Sequence, residues 1–157
     1  MGSSAVWGPQ GVSLSENRAD NYHALFSPDG RWIAYATNES GKYEVYVQSF
    51  PTGNGKWQVS TDGGIQPRWR RDGKELFYLA LDRKLVAVPV RAGSTVEFGT
   101  REPLFETKTF FATRVSTGQT QQYDVTPDGQ RFLLNLEADS SASPITVVLN
   151  WTAGLKR

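Results

Sequence analysis

One ten-residue phrase occurs three times in this chain of 157 residues. It reads FSPDGRWIAY at residues 26–35, WRRDGKELFY at 69–78 and VTPDGQRFLL at 125–134. Each copy places an apolar residue three positions before an Asp-Gly pair and an apolar run after it. This pattern is typical of two antiparallel strands joined by a tight turn. The sequence therefore predicts a repeat protein built from short β-hairpins.

The spacing of the Asp-Gly pairs indicates the architecture. Asp29 and Asp72 lie 43 residues apart. Four-stranded propeller blades repeat about every 40 to 45 residues. Asp72 and Asp128 lie 56 residues apart, which predicts an insertion within residues 106–121. Aromatic residues at 12%, with 15 Gly and eight Pro, favour many short strands over helices. We predict an all-β fold, a partial β-propeller of three four-stranded blades.

Turn residues between the apolar segments divide the chain into blades. We place blade one at about residues 22–62, blade two at about 66–105 and blade three at about 120–151. Too few residues follow the third strand of blade three to form a fourth. Residues 11–15 alternate between apolar and polar side chains, as a short strand does, and belong to no predicted blade. One terminus of a propeller commonly completes the blade formed by the other, so residues 11–15 are a candidate closing strand. Residues 1–10 are then a disordered lead or one added for expression.

Three blades are too few for a closed ring, since propellers normally have four to eight. We therefore hypothesise a homodimer that forms a six-bladed propeller, in which residues 11–15 of each subunit complete blade three of the other. A truncated half-propeller is one alternative. The other is a compact monomer whose spare strand pairs within its own chain.

Charge and composition disfavour several classes of function. Seventeen Lys and Arg nearly balance sixteen Asp and Glu, so no bulk charge attracts nucleic acid or an anionic membrane. There is no cysteine, and His23 is the single histidine, so neither a zinc site nor a catalytic triad is indicated. The three turn aspartates recur in every copy of the phrase, which favours a role in the hairpins. We predict no catalytic residue, metal, cofactor, nucleic-acid partner or direct membrane insertion.

Equivalent positions on the inner strands give candidate binding residues. The inner strand of each predicted blade precedes its turn aspartate, and inner strands line the central channel of a propeller. Polar side chains occur six and four residues before that aspartate. These channel candidates are His23, Gln66, Arg68, Gln122 and Asp124.

The predicted insertion supplies a second set of candidates. Phe110, Phe111 and Arg114 form an aromatic and basic segment, and aromatic residues in a loop often mark a contact surface. Alternatively, the two phenylalanines pack at the junction between blades two and three or at the dimer interface. We retain all three residues as candidates for an interaction loop.

Several of these segments resemble a known family. The Asp-Gly phrases, with EVYVQSFP at residues 44–51 and KWQVS at 56–60, resemble TolB-like, WD-repeat-related propeller repeats. Residues 69–78 and PITVVLNW at 144–151 are similar to the C-terminal propeller repeats of bacterial serine/threonine kinases and related sensor proteins. The resemblance implies a bacterial module for sensing or protein binding, without kinase chemistry. In the TolB branch the implied partner is a periplasmic lipoprotein or another envelope component.

The sequence thus predicts a non-catalytic propeller module that binds a protein or peptide and dimerises. It does not specify the compartment, although the resemblance favours a periplasmic or other extracytoplasmic location over the cytoplasm. Two other classes remain open. The chain is alternatively the propeller portion of a bacterial hydrolase or peptidase whose catalytic domain lies elsewhere. It is otherwise a purely structural oligomerisation unit.

Overall fold

The computed structural model describes residues 19–107 and 121–136, together with the backbone of residues 145–149. Within these residues the chain forms twelve strands and no helix, so no described helix could cross a membrane. The strands make three antiparallel sheets, which we call sheets one, two and three in chain order. The all-β prediction is confirmed.

Sheet one contains four strands in sequence order: β1 (Asn21–Phe26), β2 (Trp32–Thr37), β3 (Glu44–Ser49) and β4 (Lys56–Gln58). Every residue of β2 is buried, as expected for a strand that is packed on both faces of a sheet. The prediction of four strands is confirmed for this sheet.

Sheet two contains β5 (Gly64–Trp69), β6 (Glu75–Ala80), β7 (Lys84–Ala92), β8 (Val96–Phe98) and β9 (Glu102–Glu106). The prediction of four strands was wrong for this sheet, because β9 adds a fifth. The outer edge of β7 is shared, with β9 along its first residues and β8 along its last.

Pro89 lies between the two parts of β7 that pair with β8 and β9. Proline has no N–H to donate to a neighbouring strand, so this position suits a break between two partners. The nine-residue strand β7 therefore pairs on its outer edge with two short strands instead of one long strand.

Sheet three contains β10 (Tyr123–Val125), β11 (Arg131–Asn135) and β12 (Ile145–Leu149), in that order. Among the described residues no further strand pairs with β12. The candidate closing strand, residues 11–15, lies outside the described residues. The predicted blade boundaries and the dimer therefore stay predictions.

The three Asp-Gly turns share one hydrogen-bonding pattern, which confirms the predicted role of the aspartates. Each carboxylate accepts the backbone N–H two residues later, at 3.0 or 3.1 Å. Each following glycine has a φ of about +70°, a conformation that costs glycine little. The acceptors are Asp29, Asp72 and Asp128, and the donors are Arg31, Lys74 and Gln130.

Two apolar clusters join the sheets. The first lies between sheets one and two and includes Ala34, Val47, Leu76 and Val88. The second lies mainly between sheets two and three and includes Phe77 and Phe132, whose ring centroids are 5.2 Å apart in an edge-to-face arrangement. The sheets therefore pack face to face in chain order, as neighbouring blades do.

A buried carboxylate ties sheet one to the loop that leads into sheet two. Glu44 is 1% exposed, and its carboxylate accepts the Gly63 N–H at 3.0 Å and the Ser60 hydroxyl. The Ser60 oxygen in turn accepts the Val45 N–H at 2.8 Å. The Lys42 ammonium lies 3.4 Å from the carboxylate at the surface. This arrangement satisfies the buried charge with hydrogen bonds and a partly exposed cation.

Candidate ligand-binding channel

The inner strands of sheets one and two carry the same irregularity. His23 and Gln66 have φ angles of 55° and 52°, and the pairing register shifts beside each residue, as at a β-bulge. A positive φ is uncommon for residues other than glycine, although asparagine, aspartate and histidine adopt it more often than the rest. The positive φ recurs six residues before the turn aspartate in both sheets. His23 and Gln66 therefore occupy equivalent positions of sheets one and two.

The bulge at Gln66 connects sheet two to sheet three. The Gln66 side-chain oxygen accepts the Gln122 N–H at 2.8 Å, and the Gln66 carbonyl oxygen accepts the Tyr123 hydroxyl at 2.9 Å. Gln66 and Tyr123 are both buried. Two of the five channel candidates, Gln66 and Gln122, therefore meet where the inner strands of the two sheets approach each other.

We expect Tyr123→Phe to lower the free energy of unfolding by about 1–2 kcal/mol, because it removes the buried hydrogen bond from the Tyr123 hydroxyl to the Gln66 carbonyl oxygen. Burial raises the pKa of Tyr123 well above its usual value. Above about pH 10 the unfolded chain releases the tyrosine proton while the folded chain keeps it, so folding stability declines as the pH rises. Urea unfolding at neutral and alkaline pH should show a smaller alkaline loss in Tyr123→Phe. An equal alkaline loss in both proteins would contradict this assignment.

Arg68 and Asp124 form a loose ion pair across the same junction. The Arg68 Nε lies 3.8 Å from Asp124 Oδ1, which also accepts the Val125 N–H at 2.9 Å. The Asp124 side chain is 73% exposed and that of Arg68 is 14% exposed. A long ion pair with one exposed partner contributes little to stability, and the exposed Asp124 carboxylate is accessible to a ligand.

These residues border a cavity of about 590 Å³ at the junction of the three sheets. Sheet three supplies most of the described lining residues, while sheets one and two supply one each. The lining residues are Leu25, Arg68, Gln121, Gln122, Tyr123, Asp124, Leu133, Leu134 and Asn135. Three of the five channel candidates thus line one cavity, and most of its remaining wall is apolar. A cavity of this volume is large enough for a small ligand or a peptide side chain.

His23 is not among the described residues that line this cavity. Its Nδ1 atom is buried and has no hydrogen-bond partner among the described residues. Burial, with a further contribution from the charge of Arg68, lowers the pKa of His23. The imidazole is therefore neutral at neutral pH.

A second cavity of about 450 Å³ adjoins the first and shares Asp124 and Leu133 with it. Phe110, Phe111 and Arg114, the candidates for an interaction loop, lie outside the described residues. The described residues contain no group of three or more His, Cys, Asp or Glu side chains placed to hold a metal ion.

Solved structures resemble this arrangement of sheets. A predicted 6-phosphogluconolactonase from Bacteroides uniformis aligns with 94% of this chain and 41% of its own, with a TM-score of 0.55 and 20% identity. The Cps50 (Swd1) β-propeller domain of Myceliophteria thermophila aligns with 84% of this chain and 38% of its own, with a TM-score of 0.52 and 11% identity. The fold is that of a β-propeller.

TolB from Acinetobacter baumannii is also similar, over 91% of this chain and 44% of its own, with a TM-score of 0.45 and 15% identity. The propeller chain spans less than half the length of each of these three proteins. No protein-family model and no curated protein sequence matches it.

Counting residues back from the turn aspartates identified equivalent positions of the propeller but missed how they are built. The bulge at Gln66 was not expected, and the inner strand of sheet two begins at Gly64, before the predicted start of blade two at about residue 66. Tyr123 was also missed as a partner of that bulge. The available signal was the Gln66-Pro67 pair, since a proline within a strand often marks an irregular position.

Proposed function

We propose that this chain is a non-catalytic β-propeller module that binds a protein or peptide partner in the cavity between its inner strands. The observation that carries the proposal is the cavity of about 590 Å³, which combines an apolar wall with Arg68, Gln122 and Asp124. Pockets with a largely apolar lining and a few placed polar groups are typical ligand sites.

The strand that borders the cavity favours a peptide as the ligand. The Asn135 N–H donates to the Gln122 carbonyl oxygen, and the Thr126 N–H donates to the Arg131 carbonyl oxygen. In an antiparallel ladder this pattern turns the backbone groups of Tyr123 and Val125 away from β11. The Val125 N–H donates to its neighbour Asp124, which leaves the Val125 carbonyl and the backbone groups of Tyr123 on this side. No described strand pairs with this edge of β10, so it offers backbone hydrogen bonds beside an apolar cavity, a combination that suits an extended peptide.

Similarity in sequence supports a sensory role for this binding. The phrases at residues 69–78 and 144–151 are similar to propeller repeats that follow bacterial serine/threonine kinases. In that setting the module would lie in an extracytoplasmic part of a bacterial sensor protein and report a bound partner. The fold similarity to TolB and to the Cps50 (Swd1) domain is compatible with such a role.

Selection of random peptides displayed on phage against the immobilised chain would test this proposal. Enriched peptides would carry a fluorescent label, and their affinity would be measured by anisotropy. We expect Arg68→Ala and Asp124→Ala each to weaken binding about tenfold, or roughly 1.4 kcal/mol. Arg91→Ala, at an exposed position on β7, is the matched control and should bind normally.

Failure to enrich any peptide would overturn the proposal. Binding that is equally strong in the wild type, Arg68→Ala and Asp124→Ala would overturn the assignment to this cavity. Circular dichroism of each variant would verify that the fold is retained.

The proposed module includes assembly as a homodimer. The outer edges of β3 and β7 are covered by β4 and by β8 with β9, whereas β12 has no outer partner among the described residues. An uncovered edge invites a strand from another segment. We propose that residues 11–15 of a second copy supply it, so that two chains complete a six-bladed ring.

A further inference from the structure

The repeat defines which side chains of each sheet face the next sheet along the chain. Ala34 and Phe77, each five residues after the turn aspartate, are fully buried against the following sheet. Leu133 holds the same position in sheet three, yet it is 48% exposed. Leu133 therefore occupies a position that packs against a neighbouring sheet in the other two repeats. We call this surface of sheet three the Leu133 face.

The same comparison applies to the side chains that face the preceding sheet. Trp69 and Val125, each three residues before the turn aspartate, pack in the clusters that join their sheet to the one before it. Phe26 holds this position in sheet one and is 44% exposed. Its ring lies edge to face with Phe50, with centroids 4.9 Å apart. We call this surface of sheet one the Phe26 face.

Phe26 and Leu133 are the exposed large hydrophobic residues of the described part of the chain, and they lie at opposite ends of the row of sheets. We infer that the Leu133 face of one copy packs against the Phe26 face of a second copy, and that the two copies share the ligand cavity. This inference rests on the proposed function and names the contact surfaces of the proposed dimer.

A second copy is the occupant that the repeat itself specifies. The Leu133 face corresponds to the surfaces that Ala34 and Phe77 present to the following sheet. The Phe26 face corresponds to the surfaces that Trp69 and Val125 present to the preceding sheet. Two faces that complement each other on one molecule produce a head-to-tail contact, which closes into a ring or continues as a filament. Two copies give six sheets, within the range of about four to eight in closed propellers.

On the Phe26 face the contact would be made by Phe26 and its neighbour Phe50. Ile33 and Tyr35, which face the same way on β2, are already buried, as is the adjacent Tyr46. The contact is therefore centred on the side of sheet one that carries its Asp-Gly turn. Leu133 pairs with Asp124 across β10 and β11, so the opposite face also presents a charge beside its apolar centre.

The dimer would complete the binding site. Leu133 lines both the cavity of about 590 Å³ and the adjoining cavity of about 450 Å³. A sheet packed on Leu133 would form a further wall of both cavities. Ligand binding and dimerisation would then strengthen each other, because two linked equilibria couple reciprocally.

The test is the mass of the full chain in solution, by light scattering and sedimentation. We expect the wild type to be a dimer, and Leu133→Asp or Phe26→Asp to weaken its dissociation constant at least tenfold. Both residues are exposed, so each single variant should fold. Thr95→Asp introduces the same charge at an exposed position between β7 and β8, away from the cavity, so it is the control and should remain dimeric.

A double variant tests direct contact between the two faces. Leu133→Asp combined with Phe26→Lys places opposite charges across each junction, so we expect it to dimerise more tightly than either Leu133→Asp or Phe26→Lys alone. A double variant that is weaker than both would overturn the inference. A monomeric wild type, or a dimer unaffected by any of these changes, would also overturn it.

Further outcomes separate the contact surfaces from the proposed function. A dimer that is lost on deletion of residues 1–15 but is unaffected by Leu133→Asp would rest on strand exchange alone and would overturn the inference. Filaments in place of a dimer would overturn ring closure. Peptide binding by a wild-type monomer would overturn the shared cavity while leaving the proposed binding function in place.

Discussion

Replacing Phe132 by alanine is expected to lower the free energy of unfolding by about 3–5 kcal/mol. Phe132 is fully buried, and its ring lies 5.2 Å from that of Phe77 and 5.7 Å from that of Phe105. Truncation removes the apolar contacts of the ring and leaves a cavity that the two strand-bound neighbours cannot fill. These rings belong to the apolar cluster that joins sheets two and three.

Urea unfolding followed by intrinsic fluorescence would measure the effect. Asn135→Ala is the matched control, because Asn135 lies on the same strand but is exposed, and it should change stability by less than about 0.5 kcal/mol. A loss below about 1 kcal/mol for Phe132→Ala would contradict close packing between the sheets.

Glu44→Ala is expected to cost about 3–5 kcal/mol, by a different mechanism. The substitution leaves the Gly63 N–H and the Ser60 hydroxyl without their acceptor in a buried place. It also leaves Lys42 without the carboxylate at 3.4 Å. Buried donors that lose their acceptor carry the full cost of desolvation, which exceeds the net value of an ordinary hydrogen bond.

Two further variants separate shape from charge at this position. Glu44→Gln keeps an oxygen for the Gly63 N–H but presents an amide NH₂ group where the Ser60 hydroxyl needs an acceptor. We therefore expect its loss of unfolding free energy to be smaller than that of Glu44→Ala. Glu97→Ala removes an exposed carboxylate of β8 and should have little effect. Thermal unfolding of the four proteins should give the order wild type, Glu97→Ala, Glu44→Gln, Glu44→Ala, from most to least stable. Equal stability of Glu44→Ala and Glu97→Ala would contradict the role assigned to the buried carboxylate.

Much of the fold could be predicted because the repeated phrase encodes local structure. The residues before and after each Asp-Gly pair are found in paired strands, and each turn aspartate caps its turn as expected. These features depend on interactions within about ten residues of chain, which a single sequence displays directly.

Features that depend on distant contacts could not be predicted in this way. The strand β9 forms because β7 is longer than β8 can cover, and the segment EPLFE has no strong alternation of its own. The positive φ at Gln66 is held by bonds to Gln122 and Tyr123, which lie more than fifty residues later. Sequence spacing therefore identified equivalent positions on or beside the inner strands without indicating which of them would meet.

The break at Pro89 affects how the protein avoids aggregation. A nine-residue strand with a bare outer edge would be a template on which strands of other molecules could add. Here the first part of β7 is covered by β9 and the last part by β8, while the residue between them has no N–H to offer. Sheet two thus leaves no long edge of β7 for a foreign strand. Changes that loosen β8 or β9, even at exposed positions, should reduce solubility before they reduce stability.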